Sequence, residues 1–225
     1  MTQKRQLKSQ MISVIMPSYL GSYPNCASNR KEKFLRAIES FLNQDYSEKE
    51  LIIVSDGCNI TNELYFENYR GTAKIRLVQK EFDGDYNGNN RQKGINASFG
   101  DYITYLDSDD FFGSDNHLSS IVRQSQNYDF VYFDDFVFMG TKQNGELDLL
   151  RREVELEHKK IGTTFIAHKK VFRNGHKPSW DGCKGYGEDW QFISKTMRHF
   201  EVNRVSKIYD CFYINCHVPY LNVDN

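Results

Sequence analysis

The chain has 225 residues, with 29 lysines and arginines against 30 aspartates and glutamates, and a formal net charge of −1. That length allows one domain with a sizeable core, and the near-zero charge supplies no global basic field to draw in nucleic acid or an acidic membrane. Apolar residues make up 39% and charged residues 26%, the balance of a soluble globular protein, and no apolar run is long enough to span a bilayer.

The basic start, MTQKRQLKSQ, precedes MISVIMPSYL and so imitates a signal peptide. The apolar run is short, holds Ser13 and Pro17, and lacks a small-residue cleavage site. Residues 1–10 therefore read as a disordered leader, and Ile12 to Pro17 as a buried first strand. Asn29-Arg30-Lys31-Glu32 has the form of a capping box, and Phe34, Ile38, Phe41 and Leu42 follow at helical spacing. Leu51 to Asp56 (LIIVSD) reads as a second strand ending at Asp-Gly, with a weaker helix behind it, and Lys74 to Gln79 as a third. A Gly- and Asn-rich loop, DGDYNGNN, then leads into a helix from Arg91 to Phe99.

Tyr102 to Leu106 is aromatic and β-branched, as a buried strand is, and it stops at Asp107, Asp109 and Asp110. Three carboxylates this close repel one another. They suit a solvated turn that caps the next helix, a site for a hard cation such as Mg²⁺ or Mn²⁺, or acid–base chemistry.

Tyr128 to Phe138 is a further strand. ELDLLRREVELEHKK fits either a helix or a strand pair, and Gly162 to Phe172 reads as a short helix. From Gly187 onward, Trp190, Ile193, Met197 and Phe200 have helical spacing. No repeat, low-complexity tract or interdomain linker interrupts the chain. The five cysteines, Cys26, Cys58, Cys183, Cys211 and Cys216, include no C-x-x-C pair. Cys211, Cys216 and His217 lack the spacing of a structural zinc site. Reduced thiols in a cytoplasmic protein are the expectation.

Strands alternating with helices imply βαβ units and a mostly parallel sheet, whose ligands sit at the carboxyl ends of the strands. Tyr19, Asp56 and the Asp107–Asp110 cluster all fall at such ends.

SVIMPSY, LIIVSDG, NNRQKGINASFGDYITYLDSDD and GYGEDWQF occur here in one order. In that order they resemble the family 2 glycosyltransferases over about Met11 to Phe200. The resemblance implies an α/β fold of the GT-A type, a Rossmann-like, mostly parallel mixed sheet flanked by helices. It implies one such domain over 11–225, with a nucleotide-binding half at 11–110 and an acceptor-binding half at 111–225. It also implies a nucleotide-sugar donor, Mn²⁺ or Mg²⁺ as cofactor, and inversion at the anomeric carbon. The acceptor class it implies is a glycan, a lipid-linked sugar or another hydroxyl compound. The location expected is cytoplasmic, with peripheral membrane attachment compatible.

Residue by residue, the resemblance implies donor contacts at Pro17, Ser18, Tyr19, Asp56, Arg91, Asp107 and Ser108. Tyr19 lies against the nucleobase, Asp56 accepts from the base N–H, and Arg91 reaches the diphosphate. It implies metal ligands at Asp109 and Asp107, with His217 as a third candidate. Asp189 is the implied general base, with Glu188 beside it facing another way. Trp180 and Trp190 are candidates to stack on an acceptor sugar, or to pack in the core. Two positions depart from the pattern: Ser55 precedes Asp56 where many relatives carry a second acid, and Gln92 stands where Asn usually follows the arginine.

A sugar nucleotidyltransferase would need a Gly-rich basic loop after the first strand, and SYLGSYPNC has no basic residue. A dehydrogenase would need G-x-G-x-x-G there. A catalytically silent nucleotide- or glycan-binding protein would be expected to lose Asp109 or Asp189, and both are present.

Overall fold

The computed structural model describes residues 10–24, 26–82, 87–172 and 175–216. In chain order the elements are β1 (Ile12–Ser18), α1 (Arg30–Leu42), β2 (Lys49–Asp56), α2 (Asn59–Asn68), β3 (Ile75–Lys80), α3 (Asn87–Ala97) and β4 (Tyr102–Tyr105). They continue with β5 (Phe111–Phe112), α4 (His117–Ser125), β6 (Phe130–Thr141), β7 (Leu147–Arg152), β8 (Ile166–Lys169), α5 (Glu188–Met197) and β9 (Val205–Asn215).

The strands form one sheet in the order β3-β2-β1-β4-β8-β6-β9-β5, with β7 paired to β6. From β3 to β4 every neighbour is parallel. Beyond β4 the sheet is mixed: β8 runs antiparallel to both β4 and β6, while β9 is parallel to β6. β1 and β2 are buried along their whole length, which explains why their sequences read as continuous apolar runs rather than as alternations. The acids of the Asp107–Asp110 turn therefore sit at the carboxyl edge of the parallel half, beside the ends of β1 and β2.

Four local expectations change. The capping box is not made: Asn29 gives α1 no side-chain cap, and its Oδ1 is buried without a partner. α3 begins at Asn87, so half of the expected loop is its first turn. Gly88 is needed there, because a Cβ on it would lie 2.7 Å from Trp180 Cε3. Residues 162–172 form a 3-10 turn at Thr163–Phe165 and then β8, not a helix. Ile166, Ala167 and His168 are fully buried between β4 and β6, and this tertiary burial decides the strand. The long strand β9 had no counterpart in the sequence reading. Of the ambiguous charged stretch, Leu147–Arg152 pairs with β6 as a hairpin strand.

Among the described residues no helix is long and apolar enough to cross a membrane. The five cysteines are free thiols, four of them buried. His217 and residues 1–9 lie outside the described residues.

Candidate active site

A cleft of about 440 Å³ opens at the carboxyl ends of β1, β2 and β4. Eight of the residues singled out from the sequence line it: Pro17, Ser18, Tyr19, Asp56, Asp107, Ser108, Asp109 and Asp110. Its other walls include Tyr23, Arg30, Phe82, Asn87, Asn90 and Asn215.

One end is aromatic. Tyr19 and Phe82 pack as a tilted pair, 5.6 Å between centroids, and Phe82 is 62% exposed. Arg30 shapes the segment after β1 by donating to the carbonyl oxygens of Tyr19 and Gly21, and its guanidinium lies over the Tyr23 ring. Asp56 closes this end. It is buried, takes Lys80 Nζ on Oδ1 at 2.5 Å, and accepts from Asn90 Nδ2 on Oδ2 at 3.1 Å.

The acid turn is held from behind. Asp110 is buried and accepts from the Tyr213 hydroxyl (2.8 Å) and the Cys216 N–H (2.7 Å), so it anchors β9 under the turn. Tyr213 in turn accepts from the Asp107 N–H at 3.2 Å, and Arg36 of α1 donates to the Asp109 carbonyl at 3.2 Å. Burial pushes Asp110 well above the usual carboxylate range, and Asp109 and Asp107 push it further. Asp107 is also raised, by desolvation first and then by the charges of Asp109 and Asp189, against the pull of Arg91.

Behind the turn lies the third part of the site. Arg91 of α3 is 4% exposed, yet three carboxylates reach it. Its Nη2 donates to Asp107 Oδ1 at 3.1 Å, and its Nη1 lies 3.4 Å from Asp189 Oδ1 and 3.9 Å from Glu188 Oε1. Burial alone would weaken the guanidinium's hold on its proton; Asp107, Asp189 and Glu188 outweigh it and raise the pKa. Glu188 and Asp189 open α5 after Gly187 (φ +87°), where the helix dipole favours negative charge. The two acids do not face apart as expected: both point at Arg91. Glu188 is raised by desolvation, which Arg91 opposes and Asp189 reinforces. Asp189 is about a third exposed and accepts on the same Oδ1 from the Thr163 hydroxyl. Thr163 stands on the 3-10 turn before β8, and nothing in its local sequence pointed to it.

Trp180 is a core residue. It is 1% exposed and stacks on Phe192 at 4.2 Å with 5° between planes, so its ring offers no face to a sugar. Arg91 also lies over the Trp180 ring, at 5.4 Å from its centroid. Trp190 is half-buried, with His158 stacked 6.3 Å away.

A divalent cation would find Asp107, Ser108 and Asp109 on one wall of the cleft. Among the described residues no group of three or more His, Cys, Asp or Glu side chains is disposed to hold a metal. Mg²⁺-type sites commonly use one or two carboxylates together with substrate phosphates instead of an all-protein cage. Asp107 and Asp109 supply two carboxylates and Ser108 a hydroxyl, the hard-oxygen donors such a cation takes, and the residues fit the group on that basis.

The family model for glycosyl transferase family 2 matches residues 13–185. A putative colanic acid biosynthesis glycosyl transferase of Escherichia coli K12, WcaA, is 32% identical over 136 residues, covering 58% of this chain and 44% of that one. Staphylococcus aureus TarS 1-349, solved in complex with UDP-GlcNAc, superposes with TM-score 0.64 at 19% identity, over 93% of this chain and 59% of its own. The mannosyltransferase PcManGT of Pyrobaculum calidifontis, solved with GDP-Man and Mn²⁺, gives TM-score 0.60 at 15% identity, over 96% and 59%. The chain spans half or less of the length of the curated relatives it matches. The architecture is the GT-A one, with helices on a curled, largely parallel sheet.

Proposed function

The chain belongs to glycosyl transferase family 2, and from that premise we propose that it moves a sugar from a nucleotide-diphosphate donor of the uridine class to an acceptor hydroxyl, with inversion. The observation that carries this is the bridge made by Arg91. One buried cation ties an acid of the donor cleft to the acid pair at the start of α5, although Arg91 and Asp189 stand 98 residues apart in sequence.

On this reading the base lies against Tyr19 and Phe82, at the Asp56 corner. Pro17 and Ser18 form the floor at the end of β1, and the diphosphate lies along Asp107, Ser108 and Asp109. Asp109 and Asp107, with His217 as a further candidate, would hold Mn²⁺ or Mg²⁺, which would supply charge for the leaving diphosphate. Arg91 adds positive charge behind the same turn, in a site of low water access where such charge counts most. Asp189 takes the proton from the acceptor hydroxyl as its oxygen bonds to the anomeric carbon and the bond to the diphosphate breaks. Arg91 and Thr163 both engage Oδ1, which leaves Oδ2 to receive the proton. Glu188 balances the guanidinium and orients the helix start. Trp190 stands at the acceptor side, for a glycan or lipid-linked acceptor. TarS with UDP-GlcNAc supports the donor class and PcManGT with Mn²⁺ the cofactor, each as a neighbour in fold. A cytoplasmic location agrees with free, mostly buried thiols.

Calorimetry of UDP with Mn²⁺ tests the donor end. Asp109→Asn should keep the fold and lose most of the Mn²⁺-dependent gain in UDP affinity. Unchanged binding in the variant removes Asp109 from the site.

A further inference from the structure

The base end of the cleft contains an acceptor to which no described residue donates. Asn90, in the first turn of α3, is 2% exposed and lines the cleft. Its Nδ2 donates to Asp56 Oδ2 at 3.1 Å. That bond assigns the amide's orientation, because the flipped form would set Oδ1 against a carboxylate oxygen. Asn90 Oδ1 is then buried with no hydrogen-bond partner. A buried carbonyl left without a donor is unfavourable, and on a residue that lines a cleft a ligand's N–H or O–H can supply the missing donor.

Asp56 is in the opposite condition. Lys80, itself 2% exposed, takes Oδ1, and Asn90 takes Oδ2. The carboxylate has a donor on each oxygen before any nucleotide arrives. Its geometry is that of a pin between two side chains.

Resting on the uridine-donor reading above, we infer that Asn90 reads the base. Its Oδ1 accepts the uracil N3–H, and Asp56 is a positioning residue that locks the Asn90 amide. The base N–H thus passes from the acid that the family resemblance suggested to the amide beside it. A neutral acceptor there faces a hydrogen in uracil but a lone pair at the equivalent ring nitrogen of cytosine. The same corner would therefore select among pyrimidines.

The test uses the full chain with Mn²⁺ and three probes: UDP, UDP methylated at N3, and GDP. Wild type should bind UDP about tenfold more tightly than N3-methyl-UDP, the range expected when a site built for one hydrogen bond meets an analogue that lacks it. Asn90→Ala and Asn90→Ser should bind the two alike, chiefly by weakening UDP. The serine hydroxyl is too short to present an acceptor where Oδ1 stands, and melting curves of both variants verify the fold. If both variants keep the wild-type preference, Asp56 holds the N3–H and the inference falls. If wild type shows no preference, nothing reads the N3–H and it falls as well. In either case tight UDP binding leaves the uridine-donor reading standing. Tighter binding of GDP than UDP by wild type removes that reading, and the inference with it.

Discussion

Arg91 is the residue that links the two ends of the candidate site. Its side chain is 4% exposed and faces Asp107, Glu188 and Asp189. Removing one partner of a buried ionic group leaves the others uncompensated, which costs about 3–5 kcal/mol in fully buried cases. Asp107 and Asp189 are about a third exposed, so water screens part of that loss, and Arg91→Met should cost about 2 kcal/mol in urea unfolding. Mn²⁺ should recover part of it by relieving the acid turn. A variant as stable as wild type would show that the acids need no bridge. At this scale the acids were legible in the sequence, because Asp56, Asp107 and Asp109 end apolar strands and the sheet rule puts strand ends at ligands. Phe82, Arg30, Asn90 and Thr163 were not. Phe82 is an exposed aromatic just past β3, and Arg30 acts through carbonyl groups of another segment. Thr163 matters only because its turn meets the start of α5. None of these roles leaves a local pattern.

The site exists because α3 lies close on β1 and β2, which brings Arg91 under the acid turn. Gly94 makes that approach possible: a Cβ there would fall 2.3 Å from Ile15 Cγ2 and 3.3 Å from Val54 Cγ2. Alanine is the better helix former by about 1 kcal/mol, but the clash is with β-branched side chains in buried strands, and overpacking of this kind costs about 1–3 kcal/mol. Gly94→Ala should therefore lower the urea midpoint. A raised midpoint would mean that helix propensity wins and α3 is free to shift. The elements that the sequence showed best, β1, β2, β4 and α5, have strong apolar runs or helical spacing. The elements it hid are set by partners. β8 is a strand because it fills the gap between β4 and β6. β9 pairs with β6 across a register break at Phe133/Asp135, and that irregularity spoils any simple alternation in its sequence.

Across the whole molecule the sheet is continuous: β8, from the second half, slots beside β4 of the first. Its burial also sets a pH limit. His168 and His117 are both fully buried, and burial pushes their pKa values down to about 4 and about 3. Both are neutral when folded but return to about 6.5 on unfolding. The unfolded chain then binds more protons below that pH, so their contribution is complete above about pH 6.5 and is lost as pH falls toward 4 and 3. The raised carboxylates Asp107, Asp110 and Glu188 act in the opposite sense, so a histidine-specific probe is needed. Ring ¹⁵N spectra at pH 5 should show two neutral histidines of opposite tautomer. His168 Nδ1–H donates to the Lys169 carbonyl while Nε2 accepts from Tyr105, and His117 Nδ1 accepts from the Phe212 N–H. An imidazolium at either position at pH 5 would contradict this. The proposed base at the start of α5 is tested most directly by the rate of UDP release from a panel of UDP-sugars with Mn²⁺, measured for wild type and Asp189→Asn. General-base catalysis is worth about 10²–10⁴-fold, so the variant should lose a factor in that range from kcat while its donor affinity stays near wild type. Near-wild-type turnover in Asp189→Asn, or a loss confined to donor binding, would contradict a base at the start of α5.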